Sequence, residues 1–96
     1  MNKILIVEDS LPIIQLHKFV VKKAGYEPVV AETLAELKGL DHDLSEFFCA
    51  IIDYSLPDAP DGEAIPYLID KGVPGIVMTG MLDDKIRDKM LKLPII

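Results

Sequence analysis

Four short runs of β-forming residues alternate with helix-patterned stretches along the chain: Lys3–Val7, Glu27–Ala31, Cys49–Asp53 and Gly75–Thr79. Alternation of this kind favours a parallel sheet with helices on its faces over a bundle or a sandwich. Three of the runs are almost wholly apolar, as strands covered on both sides are. The first helix is expected to start near Ser10, an N-cap type residue with Pro12 in the first turn, and to run to Ala24 before Gly25 stops it. Ile13, Leu16, Val20 and Ala24 recur along it at helical spacing. Thr33-Leu34-Ala35-Glu36 matches a capping box and predicts a second helix from about Leu34 to Leu40, followed by a polar stretch from Asp41 to Glu46. A third helix follows the loop holding Pro57, Pro60 and Gly62 and ends near Gly72. A fourth starts around Asp83, carries Ile86 and Met90 inward and is broken by Lys92-Leu93-Pro94, after which Pro94-Ile95-Ile96 reads as the opening of a fifth strand.

A chain of 96 residues, 50% of them apolar, suits one compact domain spanning residues 1–96. The net charge of -6 argues against nonspecific affinity for nucleic acid or an anionic membrane, since both depend on a positive field. No stretch approaches the ~20 apolar residues that span a bilayer, and the start does not resemble a signal peptide, so a cytoplasmic location is expected. The single cysteine, Cys49, opens an apolar strand and reads as a small core residue.

The residues that end the strands carry the chemistry. Glu8-Asp9 follows Ile4-Leu5-Ile6-Val7, Asp53 follows Ala50-Ile51-Ile52, and Thr79 follows Ile76-Val77-Met78. In an open parallel sheet the ligand crevice lies outside the carboxyl ends of the strands, so these groups are expected to converge. Carboxylates gathered in one small volume need a counter-charge, and a hard divalent cation with oxygen ligands supplies it. The acidic pair alone is a weak motif, because two acids at a helix start also favour the helix dipole. Asp53 adds what the pair lacks: a carboxylate beside a cation can act as a phosphoryl-accepting nucleophile, the cation screening one negative group from the other.

Ile4-Leu5-Ile6-Val7-Glu8-Asp9-Ser10, then Ile52-Asp53-Tyr54-Ser55-Leu56-Pro57 with Gly62 beyond, then Ile76-Val77-Met78-Thr79-Gly80, together resemble the receiver domain of two-component response regulators. The likeness covers nearly the whole chain. It implies a flavodoxin-like, doubly wound parallel α/β sheet of order 2-1-3-4-5, here with the fifth strand incomplete and the fifth helix absent. It also implies that a sensor histidine kinase or phosphotransfer protein phosphorylates Asp53 and that Mg2+ is held by Glu8, Asp9, Asp53 and the Ser55 backbone carbonyl. Thr79 would hydrogen-bond the phosphoryl group and draw the following loop inward. The domain would then act as a regulatory switch on an output domain or effector, with no enzyme activity of its own.

The sequence departs from the family pattern at several places. No residue stands where receivers carry a lysine late in the fifth strand; Lys92 precedes Pro94 and belongs to the fourth helix. This pattern reads as a fragment, with a sheet edge open to self-association. The loop from Asp53 to Gly62 is one residue longer than usual, and Gly80 replaces the commoner alanine. Met81 stands where the family governs water access to the phosphoryl group, although packing on the fourth helix accounts for it equally well. His17 falls on the more polar side of the first helix and is expected to be solvated. Asp58, Asp61, Asp83 and Asp84 read as loop and helix-start acids. A competing function is a phosphorylation-independent pseudo-receiver that binds or dimerises. An aspartyl phosphatase would carry a second aspartate two places after Asp53, where this chain has Ser55. A flavodoxin-type carrier would carry a Ser/Thr/Gly-rich phosphate loop after the first strand, which is lacking.

Overall fold

The structure, a computed structural model, describes residues 2–40 and 44–78. Its elements in chain order are β1 (Lys3–Val7), α1 (Leu11–Lys23), β2 (Glu27–Ala31), α2 (Leu34–Lys38), a 3-10 turn (Leu44–Glu46), β3 (Phe47–Asp53), α3 (Ala64–Asp70) and β4 (Gly75–Met78). All strand pairs are parallel, and the order across the sheet is β2-β1-β3-β4. This is the flavodoxin-like arrangement expected for the strands described. The expected fourth helix and fifth strand lie outside the described residues.

Strand β1 shows why the sheet is covered on both sides. Leu5 and Val7 point to one face, where Ala31, Ala50 and Ile52 join Leu37 of α2 and Ala64, Ile65 and Leu68 of α3. Ile4 and Ile6 point to the other, where they meet Val21 of α1 and Cys49. Leu5, Ile6, Val7 and Ile52 are at most 1% exposed, so each contributes about 1.5–3 kcal/mol by leaving water.

Helix α1 ends as expected. Gly25 takes φ +91°, the Gly25 N–H reaches the Lys22 carbonyl at 3.0 Å, and the Tyr26 N–H reaches the Val21 carbonyl at 3.1 Å. This double closure needs the left-handed backbone that glycine adopts freely. The inward stripe of α1 differs from the expected register. Ile14 and Val21 are buried, whereas Ile13, Leu16 and Val20 are 41%, 60% and 54% exposed. The helix is apolar on more than one flank, so spacing reveals the helix without revealing which flank meets the sheet. His17 sits between Ile14 and Val21 on the inward stripe and is only partly exposed, which corrects the expectation of a solvated residue.

Two boundaries also move. Strand β3 begins at Phe47 instead of Cys49, with a register irregularity opposite Lys3 and Ile4 that leaves Phe48 stacked on Tyr26 at 5.3 Å. Helix α2 ends at Lys38, and Gly39 caps it.

Candidate functional site

Topology places the site. The chain passes from β1 outward to β2 and then crosses back over β1 to β3, so the direction of winding reverses between β1 and β3. A crevice opens beyond the carboxyl ends of strands at such a switch point. Val7 pairs with Ile52, which sets Glu8 level with Asp53, and Asp53 in turn pairs with Met78 of β4.

One carboxylate oxygen from each of Glu8, Asp9 and Asp53 lies within 4.8 Å of the others. Glu8 is buried, Asp53 is half-buried and Asp9 is exposed. Glu8 Oε1 accepts the backbone N–H of Ser10 at 3.0 Å and that of Asp9 at 3.2 Å. The start of α1 is therefore held by Glu8, whereas the Ser10 side chain makes no capping bond. Asp53 Oδ1 accepts the Ser55 N–H at 3.3 Å, and the Tyr54 N–H donates to the Met78 carbonyl at 2.9 Å. These bonds fix the loop at the point where β3 ends.

The electrostatics follow from burial. Desolvation raises the pKa of Glu8 above its ordinary 4.5, and the nearby Asp53 charge and their side-chain hydrogen bond raise it further. Desolvation also raises Asp53 above 3.8, with the Asp9 charge adding to it against the hydrogen bonds from Ser55 and Glu8. Burial, with like-charge repulsion adding to it, makes the two acids retain protons more tightly than separate exposed carboxylates. A cavity of about 440 Å³ opens on this cluster; besides the three acids its wall includes His17 and Met78. His17 is the lone histidine, lysine or arginine in that wall, and its Nδ1 is buried without a hydrogen-bond partner among the described residues.

The donor set suits one metal class. Three carboxylates, with no thiolate or imidazole grouped with them among the described residues, match a hard, oxygen-preferring cation such as Mg2+. Glu8, Asp9 and Asp53 are thus brought together as the sequence suggested, and Ser55 adjoins them. Thr79, Met81 and Lys92 lie outside the described residues. Sequence reasoning missed the place of His17 in the cavity wall and the role of Asp58. The Asp58 carboxylate caps α2 across a separation of 24 residues, and no local pattern signals that contact.

Fold and site together define a parallel α/β domain with an acidic, cation-type crevice at its switch point. Solved structures give the class a narrower name. A two-component system response regulator/GGDEF domain protein is 34% identical, matched over 99% of this chain and 38% of its own, with TM-score 0.83. The MaeR response regulator bound to beryllium trifluoride is 26% identical over 100% of this chain and 81% of its own, with TM-score 0.74. A CheY-like response regulator receiver domain protein from Methanospirillum hungatei JF-1 is 26% identical over 96% and 74%, with TM-score 0.78. The chain is similar over nearly its whole length to the receiver domains that response regulators carry, and shares their fold. It spans 38% of the length of the response regulator/GGDEF domain proteins it matches. No protein-family model matches the chain, and no curated protein does.

Proposed function

We propose that the chain accepts a phosphoryl group on Asp53 in a Mg2+-dependent reaction and thereby alters its binding to a partner. The observation that carries this reading is the meeting of Glu8, Asp9 and Asp53 within 4.8 Å at the switch point. Asp9 and Asp53, with Glu8 behind them and the Ser55 carbonyl beside them, would hold the cation. When bound, Mg2+ neutralises charge on the phosphoryl oxygens during transfer.

The chain's own residues do the rest. An Asp53 oxygen attacks the phosphorus of a phosphohistidine; the new P–O bond forms as the P–N bond breaks, and the departing imidazole nitrogen keeps the electron pair and takes a proton. Holding Asp53 by the Ser55 N–H leaves its other oxygen for attack. Thr79, next after β4, would hydrogen-bond the phosphoryl group and report its arrival to the following loop. The phosphoryl donor would be a sensor histidine kinase or phosphotransfer protein and the reader an output domain or effector, all in the cytoplasm. Among the described residues no helix is long and apolar enough to cross a membrane. Beryllium trifluoride on MaeR supports the reading, because that anion resembles a phosphoryl group in shape and charge.

Incubation with acetyl phosphate and Mg2+ tests it. The expected result is a mass gain of one phosphoryl group that disappears in Asp53→Asn or when the metal is chelated. No gain in the wild type would reject the reading. A second reading, a phosphorylation-independent interaction module, draws on the exposed Leu16, Phe19 and Val20 of α1, which are 54–62% accessible. Partner binding unchanged by Asp53→Asn and by phosphorylation would favour it.

A further inference from the structure

We propose that Asp58 is a positioning residue for the metal crevice, tying the loop that follows Asp53 to the start of α2. The inference rests on the reading that Asp9 and Asp53 hold a cation.

Helix α2 has five residues, far fewer than an isolated helix needs to persist in water. Its burial comes from Leu37, which is 1% exposed, and its first-turn amides must find acceptors. The Leu34 N–H donates to Asp58 Oδ1 at 2.8 Å and the Ala35 N–H to Asp58 Oδ2 at 2.9 Å. The Glu36 N–H is taken by Thr33 Oγ1 at 3.0 Å. Two of three acceptors at this helix start thus belong to one side chain on a distant loop. Those two bonds also hold the Asp58 carboxyl below the ordinary 3.8.

The loop passes this anchorage on to the site. Asp58 lies inside a turn whose ends, Leu56 and Ala59, exchange backbone hydrogen bonds at 3.1 Å in both directions and are 2% and 1% exposed. On the near side, Ser55 donates to Asp53 and Tyr54 donates to Met78. Between the crevice and the anchor there are only four residues, Tyr54 to Pro57, and their ends are pinned. A shift of Asp58 therefore displaces Ser55 and Asp53 instead of being absorbed in slack chain. Mg2+ demands near-ideal octahedral geometry, so small displacements of its ligands weaken binding.

The test is Mg2+ titration of the full chain by calorimetry in the wild type, Asp58→Ala, Asp58→Asn and Ala35→Pro. Ala35→Pro removes one donor and leaves Asp58 in place, and α1 already carries Pro12 at the same early helical position. Asp58→Ala is expected to weaken Mg2+ binding about five-fold, the size of one lost helix-cap interaction. Ala35→Pro is expected to weaken it about two-fold and Asp58→Asn by an intermediate factor. Adding Ala35→Pro to Asp58→Ala is expected to change nothing further, because the two changes remove the same contact. Phosphorylation by acetyl phosphate recovers to the wild-type rate at saturating Mg2+. If both single variants fall in urea midpoint yet keep the wild-type Mg2+ affinity, Asp58 is a structural cap alone and the proposal fails. If Asp58→Ala does not fold, Ala35→Pro decides in the same way. Absence of Mg2+ binding by the wild type would overturn the parent reading and this one together.

Discussion

Replacing Gly62 by alanine isolates the packing that holds the residue after the proposed phosphoacceptor. Gly62 takes φ +80°, and a Cβ built there would lie 2.6 Å from Tyr54 Cε2 and 3.0 Å from both Cδ2 and Cζ. The Tyr54 ring is 8% exposed and belongs to the core facing α2 and α3, so it cannot swing into solvent without leaving a void. The left-handed backbone costs about 1–2 kcal/mol for a residue with a Cβ. Displacing a packed ring adds about 1–3 kcal/mol. Gly25→Ala is the control: φ is +91° there, but no atom lies within 4 Å of the added carbon. It carries the backbone cost without the clash, and the loss of unfolded-chain freedom is common to both. Urea unfolding with an unchanged m-value is the assay. Gly62→Ala is expected to be less stable than Gly25→Ala by at least about 1 kcal/mol, and to lose Mg2+ affinity while Gly25→Ala keeps it. Equal destabilisation by the two variants would refute the argument.

Other outcomes follow from the same structure. Glu8→Gln removes a buried charge facing Asp53, and is expected to stabilise the metal-free protein by on the order of 1 kcal/mol at neutral pH while weakening Mg2+ binding more than ten-fold; a destabilised variant with intact affinity would contradict this. Glu8 and Asp53 hold protons above their ordinary 4.5 and 3.8, so the folded chain binds more protons than the unfolded one just above those values. Metal-free wild type is therefore expected to lose stability relative to Glu8→Gln as pH rises through that window, checked by urea midpoints at a series of pH values. Leu68→Ala, at a position that is 0% exposed, is expected to cost about 2–5 kcal/mol in the same assay.

Much of the fold was legible because strand periodicity and helix signals are local. Strands β1 and β2 occupy the residues that their apolar runs suggested, and the acids at the strand ends meet as parallel order requires. What the sequence concealed depended on tertiary context. The stripe of α1 that meets the sheet is chosen by helix position, and His17 was misread for the same reason as Ile13 and Val20. The Ser10 side chain makes no capping bond at the start of α1, where Glu8 instead accepts the Asp9 and Ser10 amides just before the helix. Asp58 belongs by sequence to a loop and by contact to a helix 23 residues away.

Titration of Mg2+ into the wild type and Asp9→Asn, followed by calorimetry, tests whether Glu8, Asp9 and Asp53 together hold a cation. One ion per chain, with loss of binding in Asp9→Asn, is the predicted result. Absence of saturable binding, or equal affinity in the two proteins, would contradict it.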